Sequence, residues 1–356
     1  MSNHRIVYID NIKVFLTCLV IAHHAAQAYG PTGGAWPILD NNTSNWFRHF
    51  FFINASYMMG LFFFISGYFL LFSLNRKTNK EFIVDRLLRL GIPLVFFTLF
   101  VFLPFNYLSS NKQLSITNFF LNSYFFSPPI ATGHLWFVAS LLFYSLAYIL
   151  IIYFNPKPNY EIKILQFNTY YIFIYIIVLA LITGLVRIYY PIDVWRTWFI
   201  PVEVAHIPQY CSLFFIGILF NKYQWLSKLN LQKGILFFCV AIFTYSLQLK
   251  LPKSITSYWI CESFIESLLC VGISIGLLTS FQKFGNKTNE FLKSLSNNSY
   301  GIYLFHLLLI IGLQKLFLPF HLNANLKFVI VFLLGTVLSY GLSVMVRKIP
   351  FLKRIV

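Results

Sequence analysis

An all-α bundle that crosses a membrane about ten times, with both termini cytoplasmic, is the fold class this sequence predicts. Of its 356 residues, 58% are hydrophobic, 20% aromatic and only 10% charged. A soluble domain carries about 25% charged residues to populate its wet surface. The apolar residues run in stretches near the roughly 20 residues that a helix needs to cross the hydrocarbon core. Lys and Arg, moreover, collect on alternate connections between those stretches, as cytoplasmic loops do.

The stretches fall at 12–29, 50–74, 90–108, 134–154, 169–188, 208–221, 234–250, 258–281, 299–317 and 327–346. The first holds Lys13, His23 and His24 and has no small-residue cleavage site, so it reads as a retained helix rather than a signal peptide. The sixth is the shortest. No large soluble domain fits between any two, and residues 1–356 read as a single membrane domain. With the N-terminus inside, 19 of the 27 Lys and Arg fall on cytoplasmic connections and 8 on outer ones. That bias accounts for the net charge of +17; the basic residues are scattered between apolar spans, and no nucleic-acid partner is expected. The five cysteines sit inside apolar segments without C-x-x-C spacing, which predicts neither a disulfide framework nor a metal site.

Two outer connections carry more than turn residues. Residues 30–49 read GPTGGAWPILDNNTSNWFRH, and residues 189–208 hold Asp193, Trp195, Arg196, Trp198, Glu203 and His206. Interfacial aromatics form membrane belts, but Trp mixed with Asn, Asp and Arg also suits stacking on a sugar ring. Both readings stay open at this level.

An ionisable group inside a spanning segment is costly and marks a candidate functional site. The first helix holds the densest set: Asp10, Lys13, His23 and His24. Lys13 and His24, eleven residues apart, share a helical face and lie about 16 Å apart along the axis. Lys13 is expected near the cytoplasmic surface beside Asp10, and His24 deep in the membrane or towards its outer half. Further candidates are His134, Trp136, Tyr303, His306 and the pair Glu262 and Glu266, four apart on one face. Helix–helix hydrogen bonding is the competing explanation for each of the buried polar groups. At the start of the third span Arg86 and Arg89 serve either as positive-inside anchors or as a grip on phosphate.

Taken together these segments resemble the acyltransferase-3 family of bacterial membrane acyltransferases. The first helix, YIDNIKVFLTCLVIAHH, matches the family pattern of an Asp, a nearby Arg or Lys, then ten residues and a His, here Asp10, Lys13 and His24. Arg is commoner than Lys at the middle position. FFFISGYFL, RLLRLGIP, GHLWFVASLL and SYGIYLFH resemble its later motifs in order and spacing. AYGPTGGAWP after the first helix is most similar to the branch that modifies periplasmic glucans.

The resemblance implies acyl transfer in the bacterial cytoplasmic membrane. The donor would be cytoplasmic acyl-CoA, with acetyl favoured and succinyl possible. The acceptor would be a hydroxyl of a cell-envelope or extracellular carbohydrate. No metal is implied. His24 would be general base, with Lys13 and Asp10 as further catalytic candidates, and Arg86 and Arg89, with Lys13 as a candidate third cation, on the CoA phosphates. His134, Trp136, Tyr303, His306 and Glu203 are candidates for substrate binding or the oxyanion. A separate extracytoplasmic domain, found in some members, is not expected. The competing class is a transporter or flippase of a lipid-linked glycan, since about ten spans with buried charges suit it equally. The oligomeric state is not readable.

Overall fold

A computed structural model of the chain describes residues 5–31, 36–109, 115–125, 132–155, 167–198, 200–252 and 259–356. Lys112, Lys157, Lys163 and Lys253 of the charge tally lie outside the described residues, as do the side chains of Arg196 and Trp198. Among the described residues ten helices are long and apolar enough to cross a membrane. They are α1 (Val7–Ala26), α2 (Phe47–Leu74), α3 (Asn79–Leu108), α4 (Gly133–Phe154), α5 (Thr169–Tyr189), α6 (Val204–Lys222), α7 (Leu231–Gln248), α8 (Ile260–Phe284), α9 (Glu290–Phe317) and α10 (Ala324–Val346). Ten crossings bring the chain back to the face it started from. The protein is an all-α polytopic membrane protein.

α1 is central, packing against α2, α8, α9 and α10. Further pairs are α2 with α6, α5 and α7 with α8, and α9 with α10. The outer ring turns apolar side chains outward: Phe243 on α7 is 69% exposed and Val337 on α10 65%, as lipid-facing residues are. Inside, Phe63 meets Phe137 and Tyr210 with ring centroids 4.7 and 5.1 Å apart, in edge and offset geometries.

α2 and α6 approach so closely that only glycine fits at two points. A Cβ at Gly67 would overlap the Phe214 carbonyl, and one at Gly217 the Phe64 carbonyl. Backbone cannot swing aside as a side chain can. Gly217→Ala is therefore expected to destabilise by about 1–3 kcal/mol or more, read as a lower thermal midpoint in detergent. An unchanged midpoint would contradict this packing.

The sequence expectation for the third span needs correction. The helix begins at Asn79, not near residue 90, behind a capping box in which the Thr78 hydroxyl accepts from the Glu81 amide at 3.3 Å and the Glu81 carboxylate accepts from the Thr78 amide at 2.8 Å. Arg86 and Arg89 therefore lie well inside a continuous helix rather than at its start. The cap was legible as T-x-x-E, but the polar turn it opens hides in a hydropathy window. Within α3 two wide, π-type turns occur at Leu87–Gly91 and Thr98–Phe102. Pro93 and Pro104 explain them: each lacks the N–H that would bond the carbonyl four residues earlier, on Arg89 and Phe100.

A short hairpin, absent from the sequence expectation, precedes α6. β1 (Trp195–Trp198) pairs antiparallel with β2 (Ile200–Glu203), bringing Trp195 opposite Glu203. Trp, Thr, Ile and Val favour strands, but four residues are too few for an alternation to be read.

Candidate active site

At the outer end of α1 the His24 Nδ1 lies 2.6 Å from the Gln27 Oε1, one turn further on. An amide oxygen only accepts, so Nδ1 carries the ring proton and Nε2 keeps a free lone pair. The ring stacks on Trp36 from the α1–α2 connection, with centroids 5.4 Å apart. The Trp36 indole N–H donates to Gln314 Oε1 at 2.8 Å, and Gln314 Nε2 donates to the His24 carbonyl at 2.9 Å. Gln314, fully buried on α9, thus holds both Trp36 and the last turn of α1, sharing the His24 carbonyl with the Gln27 amide, which donates to it at 3.3 Å. His23 points elsewhere, its ring centroid 5.0 Å from that of Phe51.

The His24 ring is 5.2 Å from that of His306, and His306 is 4.8 Å from His134. His306 Nδ1 lies 2.6 Å from the Tyr303 carbonyl. The carbonyl accepts, so His306 likewise carries its proton on Nδ1, and its buried Nε2 has no partner among the described residues. His134 sits in the 3-10 turn that opens α4, after Gly133 at φ +52°. Glycine takes that backbone conformation without strain, and a Cβ there would meet the Phe102 ring. Neither ring nitrogen of buried His134 has a hydrogen-bond partner among the described residues, and its carbonyl accepts from the Tyr303 hydroxyl. The result is a file of three imidazoles. No described hydrogen bond or ion pair joins any of them to a carboxylate. Among the described residues no group of His, Cys, Asp and Glu is arranged to hold a metal.

The inner end of the bundle carries cations. The Tyr300 hydroxyl donates to the Arg89 carbonyl at 2.7 Å, the carbonyl that Pro93 leaves without its usual helical donor. Tyr300 and His306 are six residues apart on α9, about 9 Å along the axis, so Arg89 is tied into the helix that carries His306. Arg86 lies over the Phe82 ring at 4.8 Å, with a buried Nε that has no hydrogen-bond partner among the described residues, while Arg89 is exposed. Asp10 is shared by Arg5, at 2.5 Å, and Lys13, at 3.3 Å. Arg5 was missed in the sequence because it precedes the apolar stretch. The Lys13 ammonium rests 4.0 Å from the centre of the Phe69 ring.

Trp136 and Glu203 belong to a second polar set, apart from the imidazole file. The Trp136 ring stacks on Tyr210 at 5.4 Å, and Tyr210 on His206 at 5.5 Å. His206 contacts Glu203 at 2.9 Å and Glu266 at 3.1 Å, and Glu266 pairs with Arg187 at 2.6 Å. Burial pushes the Glu203 carboxyl up, but His206 and the Asp193 amide outweigh it and hold the group below the usual carboxylate range. Asp193 shifts the other way, raised by burial and by neighbouring Glu203.

The family profile of the acyltransferase domain matches residues 6–347, a stretch that includes the three imidazoles, both arginines of α3 and the second polar set. The chain belongs to the acyltransferase-3 family. It is a membrane acyltransferase, and membership favours the enzyme over the transporter reading. No curated protein and no solved structure matches the chain. In this acyltransferase the structure brings His24, His134, Tyr303 and His306 together. Arg86 and Arg89 lie on the inner side of that cluster, and Asp10 and Lys13 lie at the inner end of α1. Gln27, Trp36 and Gln314 went unread as site residues. Gln27 was detectable, three residues after His24 on a helix; Gln314, 290 residues from His24, was not.

Proposed function

We propose that the protein transfers an acyl group from acyl-CoA to a hydroxyl of a cell-envelope carbohydrate, with His24 as general base. The supporting observation is the proton placement on His24: Gln27 occupies Nδ1 and leaves Nε2 bare on the half-buried ring, the most exposed of the file. A sugar hydroxyl is a weak nucleophile at neutral pH, and imidazole suits the removal of its proton. The oxygen attacks the thioester carbonyl, the C–O bond forms and the C–S bond breaks. The proton passes to His24 Nε2 and then to the departing thiolate. Tyr303 already donates to His134 and Trp136 faces the second set, which leaves the His134 ring N–H as the donor for the developing oxyanion. Arg86 and Arg89 take the CoA phosphates, as planar, permanently charged forks do. The Lys and Arg bias supports a cytoplasmic position for their face, and in this reading the protein works in a bacterial inner membrane with the acceptor outside.

Acetyl is the favoured acyl group. Purified protein in detergent, given radiolabelled acetyl-CoA and envelope glycan, is expected to label the glycan. Mass spectra of envelope glycans from cells lacking the gene should miss the corresponding acyl mass. Labelling of no glycan by the intact protein would refute the reaction. Arg86→Ala is expected to raise the apparent KM for acetyl-CoA about tenfold or more with kcat little changed, the loss of one charge-assisted contact. An unchanged KM returns Arg86 to an anchoring role.

A further inference from the structure

The connection between α1 and α2 folds back over the outer end of α1. The Asp40 amide donates to the Ala28 carbonyl at 3.0 Å and the Ser44 amide to the Tyr29 carbonyl at 2.8 Å. Ala28 follows His24 by four residues, about one helical turn, so this fold-back lies just outside the proposed base. It is pinned to α10 by Asp40 and Lys327, paired at 2.5 Å. Both are buried, which takes their charges off the outer surface.

Beside that pair, between residues 41–44 and 321–325, opens a cleft of about 510 Å3. Asn41, Asn42 and Ser44 line one side and His321, Asn323 and Asn325 the other. Among the described residues no carboxylate, Lys or Arg lines it, and its exposed surface is mostly polar. A carboxamide offers a donor and an acceptor together, the match for sugar hydroxyls, which do the same. Trp46, 44% exposed, stands at the edge with its indole N–H donating to Asn325 Oδ1 at 2.8 Å, so a flat ring flanks the amides. A phosphate or carboxylate ligand would find no Lys or Arg here, among the described residues, to offset its desolvation.

We propose that this cleft is the acceptor subsite and that it takes a neutral oligosaccharide, holding it while one hydroxyl reaches His24. This rests on the reading of the acceptor as a carbohydrate. The test uses full-length protein in detergent carrying His24→Ala, so that binding is read without turnover. Titration calorimetry compares maltohexaose, cellohexaose and laminarihexaose with hexagalacturonate. At least one neutral hexamer is expected to bind, and more tightly than the anionic one. Adding Asn41→Ala and Asn325→Asp should weaken that binding about tenfold at an unchanged thermal midpoint. Both side chains are exposed, and Asp at 325 keeps the acceptor for Trp46. Preference for hexagalacturonate, no binding of any neutral hexamer, or binding indifferent to the two substitutions would each overturn the subsite. Binding that depends on the asparagines, without acyl transfer by the wild-type protein to any glycan, leaves the cleft standing as a carbohydrate site and refutes the proposed reaction instead.

Discussion

Acyl transfer by the His24→Ala protein is expected to fall by about 10²–10⁴-fold, the contribution of a positioned general acid–base group. Expression and thermal midpoint should change little, because the His24 ring is half-buried and its loss leaves Trp36 held by Gln314. The neighbouring residue supplies the control. His23 packs against Phe51 and Phe50 and meets the file only edge-on at His24, with ring centroids 5.8 Å apart, so His23→Ala should retain most activity. Gln27→Leu should fall in between, because without the Oε1 acceptor the ring proton is no longer held on Nδ1 and Nε2 is no longer kept bare. Wild-type transfer rates in His24→Ala would end the assignment, whatever the other two variants did.

Glu266→Ala is expected to cause the largest loss of stability, about 3–5 kcal/mol, because it leaves Arg187 buried beside no carboxylate of its own. The thermal midpoint in detergent should drop on the order of 10 °C. Glu266 joins three elements: it pairs with Arg187 on α5 at 2.6 Å and with His206 at the head of α6 at 3.1 Å, and His206 reaches back to Glu203 at the end of β2. The double replacement Arg187→Met with Glu266→Leu should recover much of the loss, since a buried ion pair often exceeds a well-packed apolar substitute only slightly or not at all. If the double variant is as unstable as the single, the network stabilises through more than charge compensation. A Glu266→Ala protein of wild-type stability would show that the quartet is not an interdependent network.

These two residues illustrate how differently the chain could be read. His24 stood out because an imidazole in an apolar helix is conspicuous, and Asp10 and Lys13 at fixed offsets strengthened the signal. Glu266 was visible as a buried acid, but its partners were not. Arg187 read as one more outer-face cation and His206 as part of an interfacial loop, and only packing of α5 and α6 against α8 and α2 joins them. Lys327 was misread in the same way: counted among outer-loop charges, it is almost wholly buried against Asp40, 287 residues away. Trp136 and Tyr303 sat together as possible oxyanion donors, yet one faces the second polar set and the other is already bonded to the His134 carbonyl.

By itself the sequence determined the membrane class, the number of spans and the family, because these depend on local quantities: run length, charge per loop, and motif spacing along single helices. It also placed His24 and Lys13 on one face of α1, since helical geometry converts spacing directly into position. Only the tertiary structure decided which polar groups meet. It set His306 and His134 beside His24, gave His24 its Trp36 neighbour, and separated Trp136 and Glu203 from them. The physical reason is that side chains hundreds of residues apart come within hydrogen-bond range only through the close approach of whole helices. That approach is set at points such as Gly67 and Gly217, where the absence of a Cβ lets one backbone rest on another.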